Sequence, residues 1–304
     1  MSLIAGSASL ESVAPATTAG RRLAIAARSP SLIPALPLGL FFLVFFVAPL
    51  LLLVFVSLHN DAEMTRLGFG QYARFLLDSF SLKVLGHTMW LGLEVTVVCL
   101  LLGYPLAWLF VRCPRGLQPV LMVVILLPLL TSVVVRTFAW IVILGRQGIV
   151  NTALLGLGIA DAPLSLLYTE AGLVVALAQV QMPLMVLPLI TSLQRIDPNL
   201  ADASTSLGAS AWRTFFRVTV PLSLPGAVAG SLLTYAAAIT ALITQTLVGG
   251  GQHLFMPMYI YQQASTLQNW PFAAAIAMIF LVAVLAGLTV FSLLGQLARG
   301  ITHG

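Results

Sequence analysis

Charge is what this sequence has least of. Only 8% of its 304 residues are charged, against roughly 25% in soluble domains. From Val218 to Ala298 there is no Asp, Glu, Lys or Arg over 81 residues. With 60% hydrophobic residues, no water-soluble fold of this length hides the apolar surface, so lipid must be part of the solvent. Cysteine is nearly absent too. Cys99 and Cys113 have no Cys-x-x-Cys spacing and lie in or beside apolar runs, which excludes a disulfide framework or thiolate metal site and leaves packing. Lysine occurs once, at Lys83 in "FSLKVLG", without the Gly-x-x-x-x-Gly-Lys-Ser/Thr loop that cradles nucleotide phosphates. ATP hydrolysis by this chain is thereby excluded. The four histidines, His59, His87, His253 and His303, form no His-x-x-x-His pair and no metal set, and no Gly-x-Ser-x-Gly elbow is present. The chain reads as a non-enzyme.

What is there in abundance is apolar length. A crossing helix needs about 20 apolar residues, and six stretches supply them. They run from about Leu36 to Leu58, Val84 to Val111, Leu117 to Leu144, Ala171 to Leu193, Gly226 to Val248, and Pro271 to Leu294. The expected fold is all-α and polytopic, with residues 31–304 as one membrane domain. Residues 1–30, Ala/Ser-rich with Arg21, Arg22 and Arg28, read as a disordered cytoplasmic tail rather than a cleaved signal peptide.

Six spans put both ends on one side. That side carries Arg21, Arg22, Arg28, Arg112, Arg115, Arg195, Arg213, Arg217 and Arg299, nine basic residues against Glu11, Asp197 and Asp202. The other side is balanced, five against five, with Arg66, Arg74, Lys83, Arg136 and Arg146 facing Asp61, Glu63, Asp78, Asp161 and Glu170. The positive-inside rule places both termini in the cytoplasm. The net charge of +5 then reflects topology and not a nucleic-acid partner.

Residues 197–221 interrupt the apolar pattern on the cytoplasmic side. Asp197–Pro198 is a helix start, with an acceptor at the cap and proline at the first position. Leu200, Ser204 and Leu207 share a face with Ala203 beside them, and Gly208 suits a left-handed C-terminal cap. Ser210 caps a second short helix, on which Trp212, Phe215 and Phe216 cluster while Arg213 and Arg217 share the other side. Pro221 and Pro225 are predicted to end it. Periodicity alone is equally consistent with an interfacial amphipathic connector and with a docking surface for another protein.

The stretch "ADASTSLGASAWRTFFRVTVPLSLPG" resembles the EAA motif of bacterial ABC importer permeases. Asp202, Ala203 and Ser204 stand for Glu-Ala-Ala, Gly208 for the glycine and Val220–Pro221 for Leu-Pro. Asp for Glu and Ser for the second Ala preserve the charge and small size. "GYPLAWLFVR", "RTFAWIVILGRQGIVNTALLGLGI", "MPLMVLPLITSLQRIDPNLADAS" and "YIYQQASTLQNWPFAAA" look like the first permease subunit of spermidine/putrescine-type importers. The resemblance covers most of the chain from the first span onward. It implies the type I importer fold, with the segment as a coupling helix seated in an ATPase groove through Asp202, Ala203, Ser204, Leu207, Gly208, Ala209, Trp212, Arg213 and Phe216. It further implies a second related permease, a cytoplasmic ATPase dimer holding ATP and Mg, a periplasmic solute-binding protein, a bacterial inner-membrane location, and no cofactor on this chain. The solute implied is a polyamine, with γ-aminobutyrate or another amino-acid-like compound as the alternative; related permeases share many of these blocks.

Polar groups at membrane depth need partners or a path. Glu94, Gln179, Gln181, Tyr235, Thr244 and Gln245 are candidates to line translocation, each weighed against an interhelical hydrogen bond. Arg136 sits near the outer end of the third span, where snorkelling beside Trp140 is expected. Pro183 and Pro188 are expected to break the fourth helix locally. An ion-coupled transporter is the competing class; Glu94 is its one deep carboxylate, and no inverted repeat supports it.

Overall fold

Hydrocarbon offers no hydrogen bonds, so a crossing backbone must satisfy its own N–H and C=O groups, which a helix does within one segment. The structure, a computed structural model, describes residues 36–61, 63–251 and 253–300. The tail 1–30 and residues 301–304 lie outside them. The described residues are overwhelmingly helical, with a single isolated bridge between His59 and Leu67.

The helices are α1 (Pro37–Ser57), α2 (Gly70–Leu77), α3 (Ser79–Arg112), α4 (Gln118–Leu130), α5 (Val133–Leu144) and α6 (Ile149–Gly156). There follow α7 (Glu170–Gln194), α8 (Pro198–Ser206), α9 (Ala211–Ile239), α10 (Leu242–Gly249), α11 (Met256–Tyr261) and α12 (Trp270–Gly300). Six stretches are long and apolar enough to cross a membrane: α1, α3, Val133–Gly156, α7, α9 and Trp270–Leu293. The residues through Leu52 form one unit and those from Leu53 onward another. In the first unit the wide turn Leu43–Val47 interrupts α1, and Phe41–Phe45 and Phe42–Phe46 pair one turn apart, each at 4.8 Å.

In the second unit α7 is the central post, with 67% of its most apolar stretch buried. Leu91, Val95 and Cys99 of α3 pack with Leu173, Leu177, Met185 and Leu189 of α7. A second cluster gathers Phe75, Val84, Tyr235, Met256, Phe272 and Ile276 from α2, α3, α9, α11 and α12. Pro183 and Pro188 do not break α7, which stays continuous because the helices on either side fix its course. Small residues let α9 approach: a Cβ on Gly226 would lie 2.5 Å from the Pro188 carbonyl oxygen and 2.5 Å from Ser192 Cβ.

Two spans predicted as single helices are broken. The third divides at Thr131–Ser132, both outside the helical conformation, three residues beyond Pro128. Thr131 Oγ1 donates to the freed Pro128 carbonyl at 3.0 Å, and the Arg136 guanidinium donates to the same oxygen. Arg136 therefore turns back across the break instead of snorkelling outward. The fifth span breaks at Thr240–Ala241, and Gln245 Nε2 donates across it to the carbonyls of Ala238 (2.9 Å) and Ile239 (3.3 Å). That span also begins earlier than predicted. Pro221 and Pro225 lie inside α9, because the wide turn Phe215–Thr219 gives the Pro221 ring room against the preceding turn. Residues 256–266, which lie between the fifth and sixth predicted spans, are helical.

Outside the membrane, Asp61 organises the turn after α1, accepting from the Arg66 N–H (2.9 Å), the Thr65 N–H (3.1 Å) and the Thr65 hydroxyl. These bonds, the Thr65 hydroxyl first, lower its pKa from 3.8 to about 2. A depressed pKa stabilises the fold above the unfolded value and is lost as pH falls through the folded one. Amide protection over residues 63–68, taken relative to the intrinsic exchange rate at each pH, is therefore unchanged from pH 7 to 4 and falls as pH approaches 2; Asp61→Asn, which cannot ionise, removes that dependence. Gly226→Val forces α9 off α7 at the about 1–3 kcal/mol typical of overpacking, and lowers the thermal midpoint in detergent. Gly86→Ala, which meets open space, does not lower it. An unchanged midpoint for Gly226→Val contradicts this packing.

Candidate functional site

The segment between α7 and α9 folds as a two-helix hairpin. Asp197 accepts from the Asn199 N–H at 2.9 Å and Pro198 opens α8. At the other end the Ala209 N–H reaches the Ser204 carbonyl (3.1 Å) and the Gly208 N–H the Thr205 carbonyl (2.9 Å). This is a Schellman termination, and it requires a left-handed residue, met by Gly208 at φ +83°. Ser210 then caps α9, accepting from the Arg213 N–H at 3.3 Å.

The hairpin is fastened on its inner side. Ser204 Oγ and Thr214 Oγ1 lie 2.9 Å apart, joining α8 to α9. The Phe215 ring meets Tyr104 and Trp108 of α3 edge to face at 5.7 and 5.8 Å. A cavity of about 540 Å³ behind the hairpin is lined by Tyr104, Trp108, Arg112, Asp202, Thr205 and Trp212. The outer side is apolar and bare: Leu207 is 89% exposed, Trp212 72% and Phe216 60%, the last two rings stacked at 5.9 Å. Asp202, Ala203 and Arg213 are exposed, and Gly208 and Ala209 form the bend. The nine predicted coupling residues are thus brought together, Ser204 as the internal fastener.

The six candidate path residues do not converge on one point. Gln179 Oε1 accepts from Trp140 Nε1–H at 3.3 Å, linking α7 to α5. Gln181 is buried in α7. Tyr235 is buried beside Phe291, its hydroxyl 3.1 Å from Met89 Sδ. Thr244 Oγ1 lies 3.4 Å from Thr137 Oγ1, joining α10 to α5, and Gln245 bridges the adjacent break. Glu94 Oε1 accepts from Trp90 Nε1–H at 2.7 Å, one turn away on α3. Sequence reasoning missed Glu170, counted only for topology. Its Oε1 lies 3.1 Å from His87 Nε2, between residues 83 positions apart, and no local pattern signals such a pair. Among the described residues no group of three or more His, Cys, Asp or Glu could hold a metal ion.

An all-helical bundle with two broken spans and a fastened hairpin bearing a bare apolar tip matches a known architecture. The family described as the binding-protein-dependent transport system inner membrane component matches residues 99–302. The chain belongs to this family. It is similar to the spermidine/putrescine transport system permease protein PotB of Salmonella typhimurium, 35% identical over 218 residues, covering 71% of this chain and 76% of that one. A bacterial ABC transporter involved in the import of the acidic polysaccharide alginate shares its fold, with a TM-score of 0.70 at 17% identity over 90% of this chain and 98% of that chain. The same system in complex with an alginate pentasaccharide-bound periplasmic protein gives 0.69 at 18% identity, over 93% and 96%. The protein is an inner-membrane, multi-pass permease subunit of an ABC importer, without catalysis of its own; hydrolysis belongs to a separate ATPase.

The permease's broken fifth span separates two roles for Gln245. Gln245→Leu takes the side-chain donor from the buried Ile239 carbonyl and leaves the Ala238 carbonyl only the backbone N–H groups beyond it, at about 1–3 kcal/mol, and the thermal midpoint falls accordingly. If stability is unchanged while uptake is lost, Gln245 is a path residue and not a splint for the break.

Proposed function

We propose that this permease forms half of the path by which an ATP-driven importer admits a polyamine, a second related permease supplying the other half. Its exposed hairpin tip, Leu207, Trp212 and Phe216 on a base held to α3, is the observation that carries the reading. A loop exposing three large apolar side chains to water is costly unless a partner covers them. A groove in the cytoplasmic ATPase dimer is that partner, with ATP and Mg bound there and no cofactor on this chain. The excess of basic residues supports placing this face and both termini in the cytoplasm, and residues 1–30 as a tail before the membrane domain.

In the proposed cycle a loaded periplasmic binding protein docks outside and ATP closes the ATPase dimer. The hairpin moves with it; Phe215, wedged against Tyr104 and Trp108, carries that motion into α3 and α9 together. The path opens outward, takes the solute, and hydrolysis resets it. Support for a cationic solute comes from PotB's name and from carboxylates, not arginines, in the outer cleft between α3 and α7. Glu94 is the path residue this reading keeps.

Gly208 provides the test. It is exposed with nothing within 4 Å of a built Cβ, so a side chain there adds backbone strain without a clash. Gly208→Val imposes the left-handed penalty of about 1–2 kcal/mol and redirects the hairpin, whereas Asn tolerates the conformation. In proteoliposomes, Gly208→Val loses ATPase co-purification and solute-stimulated hydrolysis while Gly208→Asn keeps most of both. Uptake driven by an ion gradient, with no ATPase retained by the wild type, contradicts the proposal.

A further inference from the structure

Glu94 and Glu170 open into the same cleft. Both line a cavity of about 560 Å³ whose remaining wall includes Trp90, Leu93, Val97 and Val174. Neither carboxylate is paired with Lys or Arg among the described residues. Glu94 spends one oxygen on the Trp90 indole; the other, Oε2, is buried and has no partner. A carboxylate oxygen in that position calls for a cation or a donor that the chain does not supply. Among the described residues Glu170 is held by His87, whose ring stacks on Phe255 at 5.0 Å and 11° and lies 5.2 Å from His253. The aromatic stack keeps His87 in place if Glu170 turns to another partner.

The helix sets the spacing. His87, which locates the Glu170 carboxylate, precedes Glu94 by seven residues on α3. Seven residues at 1.5 Å each is about 10 Å along the axis, and two turns bring both positions back to nearly the same face. Between the two carboxylates lie the Trp90 ring and aliphatic side chains. An anionic group at each end of an apolar, aromatic strip complements a linear amine with ammonium groups at its ends and methylenes between, the ring face offering a cation–π contact on the way.

We propose that Glu94 and Glu170 together form a length-selective binding site for a linear di- or polyamine, one ammonium at each carboxylate, with His87 releasing Glu170 to the incoming cation. This rests on the cationic-solute reading above and adds the residues and the geometry of recognition.

The test uses the complete importer in liposomes, with the wild-type binding protein throughout, and measures uptake of α,ω-diamines of graded length and of spermidine. Loss of one charge-assisted contact raises half-saturation about tenfold or more. Glu94→Gln and Glu170→Gln each show that rise and lose the preference for one chain length, while ATP hydrolysis stimulated by the loaded binding protein persists. Glu94→Asp keeps the charge on a shorter arm, so its preferred amine shifts to a longer chain, which a merely structural role would not produce. Variants that import with wild-type half-saturation and the same length preference overturn the site while leaving the importer reading intact. A wild type whose ATPase responds to another solute, yet imports no amine, overturns the cationic-solute reading and the site with it.

Discussion

Every carbonyl exposed at membrane depth must find a donor inside the protein, and that constraint shapes this permease wherever a span is not a plain helix. At Thr131–Ser132 the donors are the Thr131 hydroxyl and the Arg136 guanidinium; at Thr240–Ala241 the donor is the Gln245 amide. The two broken spans meet through Thr137 and Thr244, each beside the residue that crosses its own break. Of the polar side chains that look like solute ligands in a linear reading, Gln245 is committed to the backbone, and Gln179, Tyr235 and Thr244 to side chains of neighbouring helices. Glu94 differs in its chemistry: among the described residues it is the carboxylate with a buried oxygen that has no partner.

The same reasoning separates the two ends of the molecule. On the hairpin side, all the hydrogen bonding is internal: Asp197, Ser210 and the Gly208 turn close both helices, and Ser204 joins them. What remains outward is apolar area at Leu207, Trp212 and Phe216 with the charges of Asp202 and Arg213 on the same hairpin, suited to a protein groove. On the opposite side, at the mouth of the α3–α7 cleft, what remains outward is negative charge flanked by indole and aliphatic surface, suited to a small cation. One helix, α3, connects them, touching Phe215 through Tyr104 and Trp108 and carrying Glu94 and His87 higher up. Movement of the hairpin thus has a direct mechanical route to the cleft.

Much of this was legible in the sequence where the cause is local. Apolar length gave the spans, and Asp197–Pro198, Gly208 and Ser210 marked the hairpin because caps depend on residues within a turn. The breaks were not legible. Thr240–Ala241 contains neither glycine nor proline, and Pro128 lies three residues before the interruption it accompanies. Pro183, Pro188, Pro221 and Pro225, by contrast, interrupt nothing, because packing on neighbours and one wide turn absorb them. Glu170 went unnoticed for a similar reason: its meaning comes from His87 on another helix.

The central claim is that the hairpin tip is the surface an ATPase subunit covers in the cytoplasm. Leu207→Cys places a thiol at the most exposed point of that tip, in a chain whose own Cys99 is buried and whose half-buried Cys113 is removed by Cys113→Ser. The direct measurement is cross-linking from this thiol in sealed membrane vesicles of known orientation, with the adduct identified by its nucleotide-binding subunit. The account predicts an ATPase adduct that ATP binding alters, and labelling by an impermeant thiol reagent only from the cytoplasmic side. A Leu207→Cys variant that is labelled from the periplasmic side, or that yields no ATPase adduct in a transport-competent complex, contradicts it.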